Sequence, residues 1–203
     1  MSTINPQHKI AIIILAAGAS KRMGQPKQLL TWGDTTLLGD TIKKAKHLSS
    51  SILVVLGANA TKIRSTLNKE VQVTICPNRE QGMGVSLAHG IKVITENVQY
   101  DSVLVLLVDQ PLFTIEYLSN LLKTHQTYQP KITATSYGSK NGVPAIFHHS
   151  IFSELLELNA DYGARRLIEK HRVSVKSIEP KGMALDIDTY EKYIQIKSKY
   201  DLY

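Results

Sequence analysis

The chain has 203 residues, 43% of them hydrophobic and 20% charged, which suits one globular domain spanning residues 1–203 with a sizeable core. The longest apolar runs, IAIIILAA and VLVLLV, fall far short of the roughly 20 residues of a membrane span, and MSTINPQHK lacks a signal-peptide layout, so the expectation is a cytoplasmic protein with no membrane partner. The single cysteine excludes an internal disulfide, the seven histidines show no zinc-type spacing, and the net charge of +7 suits an anionic partner.

Along the chain, apolar β-branched runs alternate with amphipathic stretches. KIAIIIL reads as the first strand and TLLGDTIKKAKHL as the first helix, followed by SILVVLG, the helix TKIRSTLN and the strand VQVTIC. MGVSLAHGIKVITE predicts a helix, DSVLVLLVD a buried strand and IEYLSNLLKTHQ another helix. KITATS, PAIF and RVSVKSI read as strands, while SIFSELLELN, DYGARRLIEKH and TYEKYIQIKSKY place apolar residues at helical spacing. The expected fold class is therefore α/β, a three-layer α/β/α architecture around a mostly parallel sheet, with antiparallel strands entering after Lys131. The lysines at 43, 44 and 46 and at 192, 197 and 199 fall on helical stretches, so solvated helix surface accounts for them and no nucleic-acid partner is expected.

Ligands in such sheets bind beyond the carboxyl ends of the strands, which directs attention to the loops that follow them. The first is LAAGASKRMGQPKQLL, from Leu15 to Leu30. Its small residues Ala16, Ala17 and Gly18 let the backbone approach a ligand, and N–H groups in a tight turn form a nest for phosphate. Five residues separate Gly18 from Gly24 and no Lys-Ser/Thr pair follows, so this is not a Walker-type loop. GMGVSL at 82–87 lacks the third glycine of a dinucleotide fingerprint and follows a loop, which sets aside nicotinamide chemistry.

Asp109 ends a buried strand, where it is delivered to the sheet's carboxyl edge, and Pro111 stiffens the turn behind it. Asp186 and Asp188 in DIDT alternate along an extended segment and share one side. Carboxylates of this kind suit Mg²⁺, which takes one or two of them together with phosphate oxygens and waters. Arg22 offers a planar fork of donors to phosphate and Lys27 a point charge. His148 and His149 have no identifiable carboxylate partner and read as surface residues, and Cys76 reads as a buried, inert thiol.

The run L-A-A-G-x-S-x-R-M-G-x-x-K, followed in order by NREQGMGVSLAHG, VDQP, GVPAIF, DYGARRLI and DIDT, resembles the MobA-like nucleotidyltransferase family that includes molybdenum cofactor cytidylyltransferase. The resemblance implies a Rossmann-like, nucleotide-diphospho-sugar transferase (GT-A-like) fold and transfer of CMP from CTP to the phosphate of molybdenum-molybdopterin, with release of pyrophosphate. By the same resemblance Arg22 and Lys27 are catalytic, and Leu15, Ala16, Ala17, Gly18, Asn78, Gly82 and Ser86 bind the nucleotide. Asp109 and Asp188, with Asp186, hold Mg²⁺ or Mn²⁺, while Gly142, Pro144 and Arg165 line the side of the phosphorylated pterin. A molybdenum hydroxylase is the implied receiver of the finished cofactor. LAAG in place of LAGG resembles the cytidylyl branch, because the Ala17 methyl fills volume a purine would need. Two departures stand out: Tyr190 replaces the proline usual after DIDT, and Ala160 replaces the glycine of GDxGAR. Two other readings stay open, a nucleotidyltransferase for a sugar or alditol phosphate and a non-catalytic carrier of the molybdenum cofactor.

Overall fold

A computed structural model describes residues 8–159 and 163–200, and its first strand explains the rest of the layering. Strand β1 (Ile10–Ala16) is buried throughout, apolar on both faces because helices cover both. Beside it lie β4 (Ile52–Leu56) and β6 (Ser102–Leu107), both parallel to it, and β5 (Gln72–Ile75) continues the parallel set beyond β4. The other flank is built from β7 (Ile132–Ser136), β8 (Asn141–His148) and β9 (Val175–Ile178), giving the order β5-β4-β1-β6-β8-β7-β9. β8 runs antiparallel to β6 and β7, because a tight turn closed by Tyr137 N donating to Lys140 O at 2.7 Å sends the chain straight back. The antiparallel element expected after Lys131 is this strand.

Helices α1 (Leu37–Lys46), α2 (Ala60–Arg64), α4 (Ile115–Tyr128) and α7 (Tyr190–Lys199) cover one face, meeting Ile10, Ile12, Ile14 and Ala16 of β1. Helices α3 (Met83–Thr95), α5 (Phe152–Leu156) and α6 (Arg165–Lys170) cover the other, against Ala11, Ile13 and Leu15. Strand alternation thus feeds two separate cores from one segment. Gly90 lets α3 seat closely, since a Cβ there would stand 2.8 Å from Val55 Cγ2. Thr36, Thr114 and Thr189 cap α1, α4 and α7 with their hydroxyls, so α7 starts at Tyr190 without the proline.

Three differences from the sequence reading have local causes. Strands β2 (Thr31–Trp32) and β3 (Thr35–Thr36) form a separate hairpin, too short for any periodicity to register. β8 begins at Asn141, three residues before PAIF, because Asn141 and Gly142 pair with β7 despite carrying no apolar pattern. Residues Arg172–Ser174 form a 3₁₀ turn that shortens β9, and Ala160, Asp161 and Tyr162 lie outside the described residues. Among the described residues no helix is long and apolar enough to cross a membrane.

Candidate active site

A cavity of about 450 Å³ opens at the carboxyl ends of β1 and β6. Leu15, Ala16, Ala17 and Gly18 form one wall, with Arg22 and Lys27 further along the same loop. Nothing lies within 4 Å of the point where a Gly18 Cβ would stand, so the backbone there faces open space. Ala17 is held from behind: its carbonyl accepts from Ala58 N at 3.1 Å, and its methyl packs toward Gly57. Gly57 has no room for a side chain, since a Cβ would meet Arg79 Cδ at 2.4 Å and Ala17 O at 2.7 Å.

The opposite wall comes from the start of α3. Gly82 takes φ 111°, a backbone conformation open to glycine, and turns the chain so that Gly82, Met83 and Ser86 reach the cavity. Arg79 lines it too, one residue beyond Asn78, which is exposed and off the wall.

The charged centre is assembled from three distant parts of the chain. Lys27 opens a 3₁₀ turn, its N–H donating to Ser20 Oγ at 3.0 Å, and its Nζ donates to Asp109 Oδ2 at 2.8 Å and to Ile187 O at 3.2 Å. The same Nζ lies 3.5 Å from Asp188 Oδ1, and Arg22 Nη2 lies 3.5 Å from Asp188 Oδ2. Asp188 reaches this place because Ile187 is fully buried and its N–H donates to Asp109 O at 2.8 Å. Residues 186–188 form an extended connection outside the sheet rather than a strand, but the alternation still turns Ile187 inward and its neighbours out.

Asp109 and Asp188 line the cavity, and Asp109 Oδ1 is buried with no protein partner. Two carboxylates with a spare buried oxygen, beside a cavity walled by Arg22, Lys27 and Arg79, form an all-oxygen donor set that fits a hard divalent cation completed by phosphate oxygens. Among the described residues no group of three or more His, Cys, Asp and Glu could hold a metal ion by itself.

Asp186 is not part of this group. Gln110 Nε2 donates to its Oδ1 at 2.9 Å and to the Tyr137 hydroxyl at 2.9 Å, and the Tyr137 hydroxyl in turn donates to Val143 O. Asp186 is exposed at its edge, yet desolvation of its carboxyl against these groups raises its pKa, with Asp109 and Asp188 adding to the rise. Burial likewise pushes the Tyr137 hydroxyl upward.

The three residues expected on the acceptor side do not line the cavity. Gly142 lies against the Tyr137 ring, Pro144 is buried within β8, and Arg165 is exposed at the start of α6. Two residues before Arg165, Gly163 stands close to Met83, with Sδ 3.2 Å from the position of a Cβ, so this segment borders the cavity mouth. Sequence reasoning missed Arg79, adjacent to the quoted Asn78, and Gln28, adjacent to Lys27. A positive charge in a loop after a parallel strand was a usable signal for the first; burial of a glutamine was not readable from its neighbours.

The chain is similar to known proteins over most of its length. Residues 12–175 match the model of the MobA-like NTP transferase domain. The chain is 27% identical to the molybdenum cofactor cytidylyltransferase of Escherichia coli (strain K12), over 94% of this chain and 97% of that protein. It is also 27% identical to the purine catabolism protein PucB of Bacillus subtilis (strain 168), over 91% and 94%. The crystal structure of Rv0371c from Mycobacterium tuberculosis H37Rv superposes with a TM-score of 0.78 at 26% identity, covering 95% of this chain and 99% of that one. The same protein has been solved in complex with manganese, a structure that superposes with a TM-score of 0.73 at 25% identity over 93% and 97% of the two chains. The chain belongs to the MobA-like NTP transferase family and is a nucleotidyltransferase.

Proposed function

We propose that the protein transfers CMP from CTP to the terminal phosphate of a molybdenum-bound pterin. An acceptor phosphate oxygen forms the new bond to the α-phosphorus, the bond to the β-phosphate bridging oxygen breaks, and pyrophosphate leaves. The observation that carries the reading is the meeting of Lys27, Asp109, Asp188 and Arg22 at the mouth of a small-residue loop.

In this reading the Ala16–Gly18 backbone and Gly82 hold the nucleotide, and Ser86 offers a hydroxyl at the start of α3. Lys27 and Arg22 neutralise charge on the phosphates as it redistributes in the transition state, with Arg79 adding a third cation on the far wall. Asp109 and Asp188 would hold Mg²⁺ or Mn²⁺, which when bound draws phosphate oxygens together and offsets their charge. The manganese complex of the Rv0371c protein supports a divalent cation in this reading. The resemblance of LAAG to the cytidylyl branch favours CTP over GTP, by about tenfold to two-hundredfold if shape alone sets the choice.

A second reading keeps the chemistry and changes the acceptor, and it draws support from the equal identity to PucB. The test is incubation with each nucleoside triphosphate, magnesium and a panel of phosphate acceptors that includes the molybdenum-bound pterin and sugar and alditol phosphates. Pyrophosphate release with CTP and the pterin alone is the expected result. Faster release with another acceptor selects the second reading, and none with any acceptor refutes both.

A further inference from the structure

Gln28 is 2% exposed although it forms part of the cavity wall. Its Nε2 donates to Ala16 O at 2.8 Å and to Gly18 O at 3.0 Å. The carbonyl between them, Ala17 O, is the one that accepts from Ala58 N. Three consecutive carbonyls are thus tied down, two of them by a single amide.

A trans peptide sets each N–H opposite the carbonyl before it. Fixing the carbonyls of Ala16, Ala17 and Gly18 therefore turns the N–H groups of Ala17, Gly18 and Ala19 the other way. The amide of Gln28 can have only one orientation, because the reverse would set Oε1 against two carbonyl oxygens. In the orientation it takes, Oε1 is buried with no protein partner. A methionine or leucine would fill the same space without an orphan acceptor, so space filling does not account for a glutamine here.

We infer that Gln28 is a positioning residue that presets the N–H groups of the Ala17–Ala19 run for the triphosphate, acting through the carbonyls of Ala16 and Gly18. The inference rests on reading this cavity as a nucleoside triphosphate site. Without the amide, either peptide could rotate and present a carbonyl oxygen to phosphate oxygens, replacing attraction by repulsion.

The experiment compares wild type, Gln28→Met and Gln28→Glu by calorimetric titration with CTP and magnesium, steady-state kinetics and thermal melts. Gln28→Met is expected to fold cooperatively and to bind CTP about tenfold or more weakly, the effect of losing two hydrogen bonds, with the loss appearing in KM before kcat. Gln28→Glu adds a pH-dependent readout to the KM-against-kcat split. Its carboxylate repels both carbonyls, so at neutral pH it binds more weakly than Gln28→Met, and on acidification the protonated acid donates one bond and recovers affinity relative to wild type at the same pH. A folded Gln28→Met that binds as wild type overturns the inference, as does a Gln28→Glu whose ratio to wild type is flat with pH. If Gln28→Met does not fold, the pH ratio of Gln28→Glu decides alone. A wild-type protein that binds no nucleoside triphosphate overturns the reading of the cavity, and the role of Gln28 with it.

Discussion

Lys27 Nζ stands 2.8 Å from Asp109 Oδ2, within a pair whose side chains are both largely shielded from solvent. The ammonium therefore occupies the surroundings of the very carboxylates that suit a divalent cation, so in the proposed reading Lys27 and a bound cation would compete for them. Lys27→Met should lower turnover by about a hundredfold or more, as loss of a charge-stabilising donor does. It should also tighten Mn²⁺ binding to the nucleotide-free protein. Electron paramagnetic resonance titration checks the second effect, and unchanged or weaker Mn²⁺ affinity would contradict the competition.

Asp109→Asn keeps the size of the side chain and removes the charge. Turnover should fall by about a hundredfold or more with the far-ultraviolet circular dichroism preserved, because β6 is held by its own apolar residues. In the wild-type protein, chelation should abolish pyrophosphate release and added magnesium or manganese should restore it. Full activity after chelation and dialysis would remove Asp109 and Asp188 from a metal role.

Gly57→Ala tests the seat of the nucleotide loop from behind. The new methyl would collide with Ala17 O, which is backbone and cannot yield cheaply, and with the Arg79 stem. A destabilisation of about 1–3 kcal/mol is expected from such overpacking, together with a raised KM for the triphosphate. Thermal melts and initial rates measure the two, and a variant matching wild type in both would show that the loop shifts freely.

At the opposite end of the sheet, His125 is 1% exposed, bonded through Nδ1 to Thr133 Oγ1 at 2.9 Å and ringed by His8 and His148. Burial, with His8 and His148 adding, lowers its pKa from 6.5 to about 3, and desolvation also lowers those of His8 and His148. The folded His125 ring stays neutral where the unfolded chain takes up a proton, so the stability it holds is complete above about pH 6.5 and is lost as pH falls toward about 3. His125 alone should contribute a slope of about 1.4 kcal/mol per pH unit within that window. Urea unfolding from pH 7.5 to 4.5 measures it, and His125→Gln, which does not titrate, should flatten the curve.

The layering was legible because IAIIILA can only be a strand covered on both sides, and the helices between strands carried their own periodicity. Arg22 and Lys27 lie in the small-residue loop after the first strand and Asp109 at the end of a buried strand, but it was the resemblance that singled out Lys27 and Asp188. Their mutual geometry was not legible, since Lys27 meets Asp109 across 82 residues and Ile187 across 160. The resemblance put Gly142 and Pro144 on the acceptor side, whereas they lie in β8, whose Asn-Gly start shows no alternation. Asp186 and Asp188 share one side by spacing, but Gln110 holds Asp186 while Lys27 and Arg22 meet Asp188 at the cavity.

The double attachment of Ile187, by its N–H to Asp109 and by its carbonyl to Lys27, makes the C-terminal segment a clasp across the mouth of the site. Tyr193 tightens it, its hydroxyl donating to Thr31 O at 2.6 Å. The lysine therefore finds its second carboxylate only after synthesis has passed residue 188. A protease nick between β9 and α7 would unfasten the clasp while the central strands stay paired, silencing the protein well before its sheet comes apart.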